Sequence, residues 1–180
     1  MKGKPVPKVR LNVELDGWSI EREGHFSRWV EGELLSEGYT GVVDVIFVSD
    51  ERIAELNEQW LQHDGPTDVI SFSFNDEDEE PGESATDSGE VFPKDEGFPT
   101  GEVYVSLERA VEQAREYGVS VTDEVSRLAL HGVLHLAGFD DSDEEQRQAM
   151  SRREDEGLKS VKKENGSFHW TVHEPHDGRQ

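Results

Sequence analysis

The sequence contains no cysteine. That excludes disulfides and thiolate metal sites, and nothing argues for an oxidising compartment. Long apolar runs are also missing: none reaches the roughly 20 residues needed to span a bilayer, and the opening "MKGKPVPKVRLNVEL" lacks the apolar centre of a signal peptide. A soluble cytoplasmic protein without a membrane partner is expected. Positive charge is scarce, since 18 Lys+Arg against 41 Asp+Glu leave a net charge of −23. Such a field repels nucleic acid and anionic membranes at low salt. Two readings stay open, a well-solvated surface or residence in a very salty cytoplasm. At about 1 M salt the Debye length falls to about 3 Å, and both self-repulsion and the repulsion of polyanions are largely screened.

What is present suffices for one core in 180 residues. Lys8 to Leu15 alternates like a half-buried strand, and Phe26, Trp29, Val30 and Leu34 recur at helical spacing until Gly38. A strand is expected over Val42 to Val48, then a helix capped by Asp50 with Ile53, Leu56 and Trp60 on one face. Turn residues His63 to Asp68 lead into the strand Val69 to Phe74. The acidic, Gly/Pro/Ser-rich stretch 75–99 reads as a solvated loop. Gly101 to Leu107 is a fourth strand, and Ser106 can cap a helix bearing Ala110, Val111, Ala114 and Tyr117 before Gly118. The next helix starts near Ser120 to Thr122, with Val125, Leu128, Ala129, Gly132 and Leu136 on its buried face. Ser142 with Glu145 forms a capping box for a last charged helix, and past Gly157 the chain turns polar. These elements predict a small α/β (α+β) domain over 1–160, with a four-stranded mixed sheet packed by about five helices, and a polar tail over 161–180.

Chemistry concentrates in "LALHGVLHLAGFDD", Leu128 to Asp141. His131 and His135 are four apart, so on a helix both imidazoles project from one face and can converge on a cation. Gly138 can end the helix in a left-handed turn and bring Asp140 or Asp141 back to the same point. Two imidazoles and one carboxylate leave a coordination position open, as catalytic metals require. Spacing alone is weak, because seven scattered histidines give about 0.3 chance pairs at this separation and this chain has a second pair, His169 and His173. That second pair lies in a polar segment without helical period and reads as solvated. The first sits on a buried face, with a glycine stop and carboxylates directly after it.

The stretch "HGVLHLAGFDD" is similar to the His-Gly-x-Leu-His-Leu-x-Gly-Tyr-Asp-His signature of the YbeY family of metal-dependent endoribonucleases. "LNEQWLQHDGPTDVISFSF", Leu56 to Phe74, resembles the family's Leu-Asn-x-x-Tyr-Arg-x-x-Asp-x-Pro-Thr-Asp-Val-Leu-Ser-Phe segment, and "GEVYVSLERAVEQAREYG" resembles its Gly-Asp-Ile-x-Ile-Ser strand and following helix. Order and spacing agree from about Val42 to Met150. The resemblance implies hydrolysis of single-stranded ribosomal RNA in maturation and ribosome quality control, with the small ribosomal subunit a possible partner. It implies one zinc ion, or another divalent metal, on His131, His135 and Asp141. It also sets Thr67, Asp68 and Ser71 beside the metal, where they can orient substrate or water, although Pro66 followed by Thr67 and Asp68 is also ordinary turn chemistry. Phe72 and Phe74 read as core, since an alternating strand buries one face.

Two positions depart from the family pattern. Asp141 stands where the third histidine falls, and Leu61 where an arginine often follows the tyrosine. Aspartate can ligate zinc. Leu61 cannot touch phosphate, so that role is absent or passes to a neighbour such as His63. A cluster of Arg147, Arg152 and Arg153 on the last helix offers the clearest cationic contact for RNA. A zinc protease of the His-Glu-x-x-His type is disfavoured because Gly132 holds the glutamate's place. A two-histidine, one-carboxylate iron oxygenase shares the ligand types but lacks a cosubstrate motif here. The competing reading of another class is a non-catalytic ribosome assembly factor whose metal only pins the helix end.

Overall fold

A computed structural model describes residues 6–62, 65–74, 98–163 and 168–172. The expected acidic loop 75–99 lies almost wholly outside the described residues, as does His63. The chain runs β1 (Lys8–Val13), β2 (Trp18–Glu21), α1 (Glu23–Ser36), β3 (Val42–Val48), α2 (Asp50–Leu56) with a π-helical turn (Asn57–Leu61), β4 (Val69–Ser73), β5 (Gly101–Ser106), α3 (Leu107–Tyr117), α4 (Val121–Leu136), α5 (Glu144–Lys163) and β6 (His169–Val172). The four expected strands form one mixed sheet in the order β1-β3-β5-β4. β1, β3 and β5 are parallel, and β4 lies antiparallel to β5 at an edge. Among the described residues, five α-helices and a four-stranded mixed sheet make this the expected small α/β domain. No described helix is long and apolar enough to cross a membrane.

Alternate strand residues face opposite sides, and both sides of β3 are covered, so its sequence is apolar almost throughout. Val43, Val45 and Phe47 join Val103 and Val105 beneath α1 and α4. Ile46 and Val48 pack with Ile70 and with Ile53 and Leu56 of α2. α4 is buried around most of its circumference and crosses the β4–β5 half of the sheet. Its approach is set by Gly132, where an added Cβ would lie 2.3 Å from Val103 Cγ1 and 3.1 Å from both Ser71 Oγ and Val69 Cγ2. No other residue lets the helix come so close.

Serine caps start three helices as their hydroxyls accept otherwise unpaired N–H groups. Ser106 accepts from Arg109 N at 3.2 Å, as expected, and Ser120, near which the next helix was expected to start, accepts from Asp123 N at 3.0 Å. For α2 the cap is Ser49, which accepts from Arg52 N at 3.2 Å, and not Asp50. The Asp50 carboxylate accepts instead from Ser106 Oγ at 2.5 Å and pairs with Arg109. α5 is likewise capped by Asp143, whose Oδ1 accepts from Gln146 N at 2.8 Å, and not by the Ser142–Glu145 box.

The end of the chain corrects the expectation of a polar tail. α5 continues through Gly157 to Lys163, because that glycine is a crossing point: a Cβ there would meet Leu130 Cδ2 at 2.6 Å. β6 then pairs antiparallel with β2, a strand without enough period to be read in advance. Phe168 and Trp170 are buried against Phe26 and Phe47, with Trp170 and Phe47 centroids 4.3 Å apart. His169, the alternate residue, is exposed as expected. Three apolar expectations also fail. Trp60, Phe74 and Tyr117 are 62%, 50% and 58% exposed, because the π-helical turn, the strand end and the helix end carry them past the cover of neighbouring elements.

Candidate functional site

The two histidines ride on the last turns of α4. Gly138, at φ 97°, terminates the helix, with Phe139 N donating to Leu134 O and Gly138 N to His135 O, both at 3.0 Å. The same turn brings Phe139 O to His135 Nδ1 at 3.0 Å. A carbonyl oxygen only accepts, so His135 Nδ1 carries the proton and Nε2 presents a lone pair. His131 Nδ1 donates to Glu154 Oε1 of α5 at 2.6 Å, and that carboxylate is 13% exposed. Its Nε2 then faces that of His135 at 3.1 Å, with the rings 81° apart. In neutral rings two lone pairs so placed repel each other, and either a proton shared between them or a bound metal ion removes the clash. Metal–nitrogen bonds of about 2.0–2.1 Å at a tetrahedral angle set two donors about 3.3 Å apart, close to the spacing seen.

The chain doubles back as expected. His131, His135 and Asp141 each offer a ligand atom, all within 4.8 Å of one another. Asp140 is used differently: its carboxylate accepts from Ser142 Oγ at 2.9 Å and Asp141 N at 2.7 Å, which together hold it below its ordinary pKa. Arg147 Nη1 donates to Asp141 O at 3.0 Å and steadies the turn. The residues present therefore fit a divalent cation, two neutral nitrogens and one carboxylate being a common catalytic donor set.

The imidazoles open onto a cleft of about 300 Å³ lined by Leu61, Val69, Ile70, Ser71, His131 and His135. Of the three positions expected beside the metal, only Ser71 lines it, its hydroxyl donating to Gly132 O at 2.9 Å. Asp68 braces the start of β4: it accepts from Val69 N at 2.9 Å and from Gln113 Nε2 at 3.1 Å. Among the described residues Thr67 Oγ1 reaches Asp68, at 3.4 Å. Neither residue is among those lining the cleft.

Two of the cations near the site, Arg127 and Arg153, are paired with carboxylates of the fold. Arg153, expected to meet RNA, is mostly covered, paired with Glu33 of α1 at 2.7 Å and with Glu37 at the end of that helix, and so ties α5 to α1. Arg147 also pairs with Glu144 at 3.3 Å. Of the proposed cluster Arg147 and Arg152 are exposed. Arg127, one turn before His131, pairs with the buried Glu124 at 2.6 Å. Reading the sequence missed Glu154, which lies 23 residues from its partner among many acids and carries no local mark. Arg127 had a signal, the four-residue spacing that continues through both histidines.

The family model for endoribonuclease YbeY matches residues 18–162. Endoribonuclease YbeY of Flavobacterium psychrophilum is 34% identical over 152 residues, covering 84% of this chain and 94% of that protein. Its namesake from Pelotomaculum thermopropionicum is 41% identical over 137 residues, covering 75% and 83%. The solution structure of TM1509 from Thermotoga maritima superposes with a TM-score of 0.56 at 26% identity, over 96% of this chain and 99% of that one. With the family model matching residues 18–162 and relatives 34% and 41% identical over most of the chain, the protein belongs to the YbeY endoribonuclease family.

Proposed function

We propose that the protein is a zinc-dependent, single-strand-specific endoribonuclease that hydrolyses phosphodiesters of ribosomal RNA during maturation and quality control, acting in the cytoplasm and on the small ribosomal subunit. Family membership supports the reaction class. One observation carries the reading: two Nε2 atoms face each other at 3.1 Å, each ring held by an acceptor on its other nitrogen, with Asp141 within reach. His131, His135 and Asp141 would hold one ion, with Asp141 as the exposed, exchangeable donor. Bound there, the ion supplies Lewis-acid chemistry, acidifying water and offsetting charge on phosphoryl oxygens. Glu154 and Phe139 O orient the rings and keep each proton on Nδ1. Ser71, at the cleft wall, is the hydroxyl best set to orient substrate or water, whereas Thr67 and Asp68 would act through the loop they brace.

Metal analysis of the purified protein, followed by incubation with ribosomal RNA at high and low salt, tests this. One bound divalent ion and chelator-sensitive cleavage are expected. His131→Ala separates a catalytic ion from one that only pins the helix end. Loss of cleavage with little change in melting supports catalysis, whereas a large fall in melting temperature with no RNA cleavage by the parent protein refutes it.

A further inference from the structure

Holding RNA at a net charge of −23 calls for groups that work without a cation, and none of the residues lining the cleft is Lys or Arg. The lining is short enough to follow residue by residue. His131 and His135 face each other, and Ile70 turns its side chain to the opposite side of the sheet, where it is buried with Ile46, Ile53 and Leu56. Leu61, 45% exposed, and Val69 remain as aliphatic walls. Among the described lining residues, Ser71 supplies the one polar side chain besides the imidazoles.

The partner of that hydroxyl fixes how it can act. Ser71 Oγ lies 2.9 Å from Gly132 O, and a carbonyl oxygen only accepts, so the single hydroxyl proton is committed to α4. The absence of a side chain at Gly132 keeps the two in reach. Towards the cleft the oxygen therefore offers lone pairs alone, and a phosphate oxygen, itself an acceptor, gains nothing from it. A donor does.

Resting on the endoribonuclease reading above, we infer that Ser71 reads the sugar of the substrate, accepting a hydrogen bond from a ribose 2′-hydroxyl while Leu61 and Val69 pack against the sugar carbons. The 2′-hydroxyl is the group that separates RNA from DNA. A bond between neutral groups releases no counterions, so the discrimination persists in the salt that screens this chain's repulsion of phosphate.

The test uses the full-length protein with its divalent ion restored. Adenosine 5′-monophosphate and its 2′-deoxy and 2′-fluoro analogues, which hold no phosphodiester to cleave, are titrated by NMR at about 0.1 M and about 1 M salt. The 2′-fluoro sugar keeps a ribose-like pucker but has no proton to donate. The parent should bind the ribonucleotide about fivefold more tightly than either analogue at both salts, the usual worth of one neutral hydrogen bond. Ser71→Ala should bring the three affinities together. Leu61→Ala, which leaves the bond to α4 intact, should weaken all three alike and keep their ratio. Equal binding of the three nucleotides by the parent overturns the sugar site. A ratio untouched by Ser71→Ala, even with slower RNA cleavage, also overturns it and gives the hydroxyl to water. A parent that prefers the ribonucleotide yet cleaves no RNA keeps the sugar site and refutes the proposed activity, and one that cleaves RNA without the preference does the reverse.

Discussion

Replacing Gly132 by alanine adds one methyl group at the closest point between α4 and the sheet. The new Cβ would sit 2.3 Å from Val103 Cγ1, more than 1 Å inside ordinary carbon–carbon contact. Val103 is fully buried and cannot swing away, and Ser71 Oγ and Val69 Cγ2 close the other sides at 3.1 Å. The helix must therefore lift. Overpacking of this kind costs about 3 kcal/mol at the upper end of its range, and alanine's better helix propensity returns about 1 kcal/mol. A net loss near 2 kcal/mol corresponds to about 4–8 °C in melting temperature for a chain of this size. The lift leaves His131, His135 and Asp141 together, because all three belong to α4 and the turn after it. It separates them from Ser71 and Leu61 across the cleft. Thermal melting, metal titration and RNA cleavage should therefore show a less stable protein that binds metal almost as the parent does and turns over RNA poorly. A variant as stable and active as the parent would refute the reasoning.

The carboxylate assignment is tested by metal titration, where Asp141→Ala should lose tenfold or more in affinity and Asp140→Ala should not. Asp141→His should retain metal and shift its preference from manganese towards zinc, because a neutral third nitrogen replaces a hard oxygen. Glu154→Gln keeps a hydrogen-bond acceptor for His131 but removes its charge, so metal affinity should fall about tenfold with melting of the metal-free protein little changed; unaltered affinity would assign Glu154 to packing alone. Melting across a salt series should show stability rising towards about 1 M, where the self-repulsion of 41 acids is screened; a flat series would count against residence in a salty cytoplasm.

Much of the site was legible because it is local. The four-residue spacing of His131 and His135, the apolar stripe of α4 and the stop at Gly138 all act within a few turns of one helix, and helical period alone aligns them. β4 and β5 were legible for a similar reason, as short apolar runs bounded by turn residues. Cap positions shifted by one residue at α2 and α5, since adjacent Ser and Asp offer equivalent acceptors and only backbone geometry selects between them. The strand β6 escaped notice because its buried residues are too few to set a period, and β2 supplies its hydrogen bonds from the other end of the chain.

By itself, then, the sequence determined the helix that carries two imidazoles on one face, the turn that follows it, the α/β class and the acidic field around the whole. Only the tertiary structure decided that Glu154 orients one of the histidines, that Arg153 ties α5 to α1, that Asp140 is held by Ser142 and the turn, and that Leu61 and Ser71 line the cleft. The division has a physical origin. Side-chain direction along one element follows from backbone period, whereas the partner of a charged group depends on which distant segments are desolvated together, and 41 similar acids carry no local sign of which ones those will be.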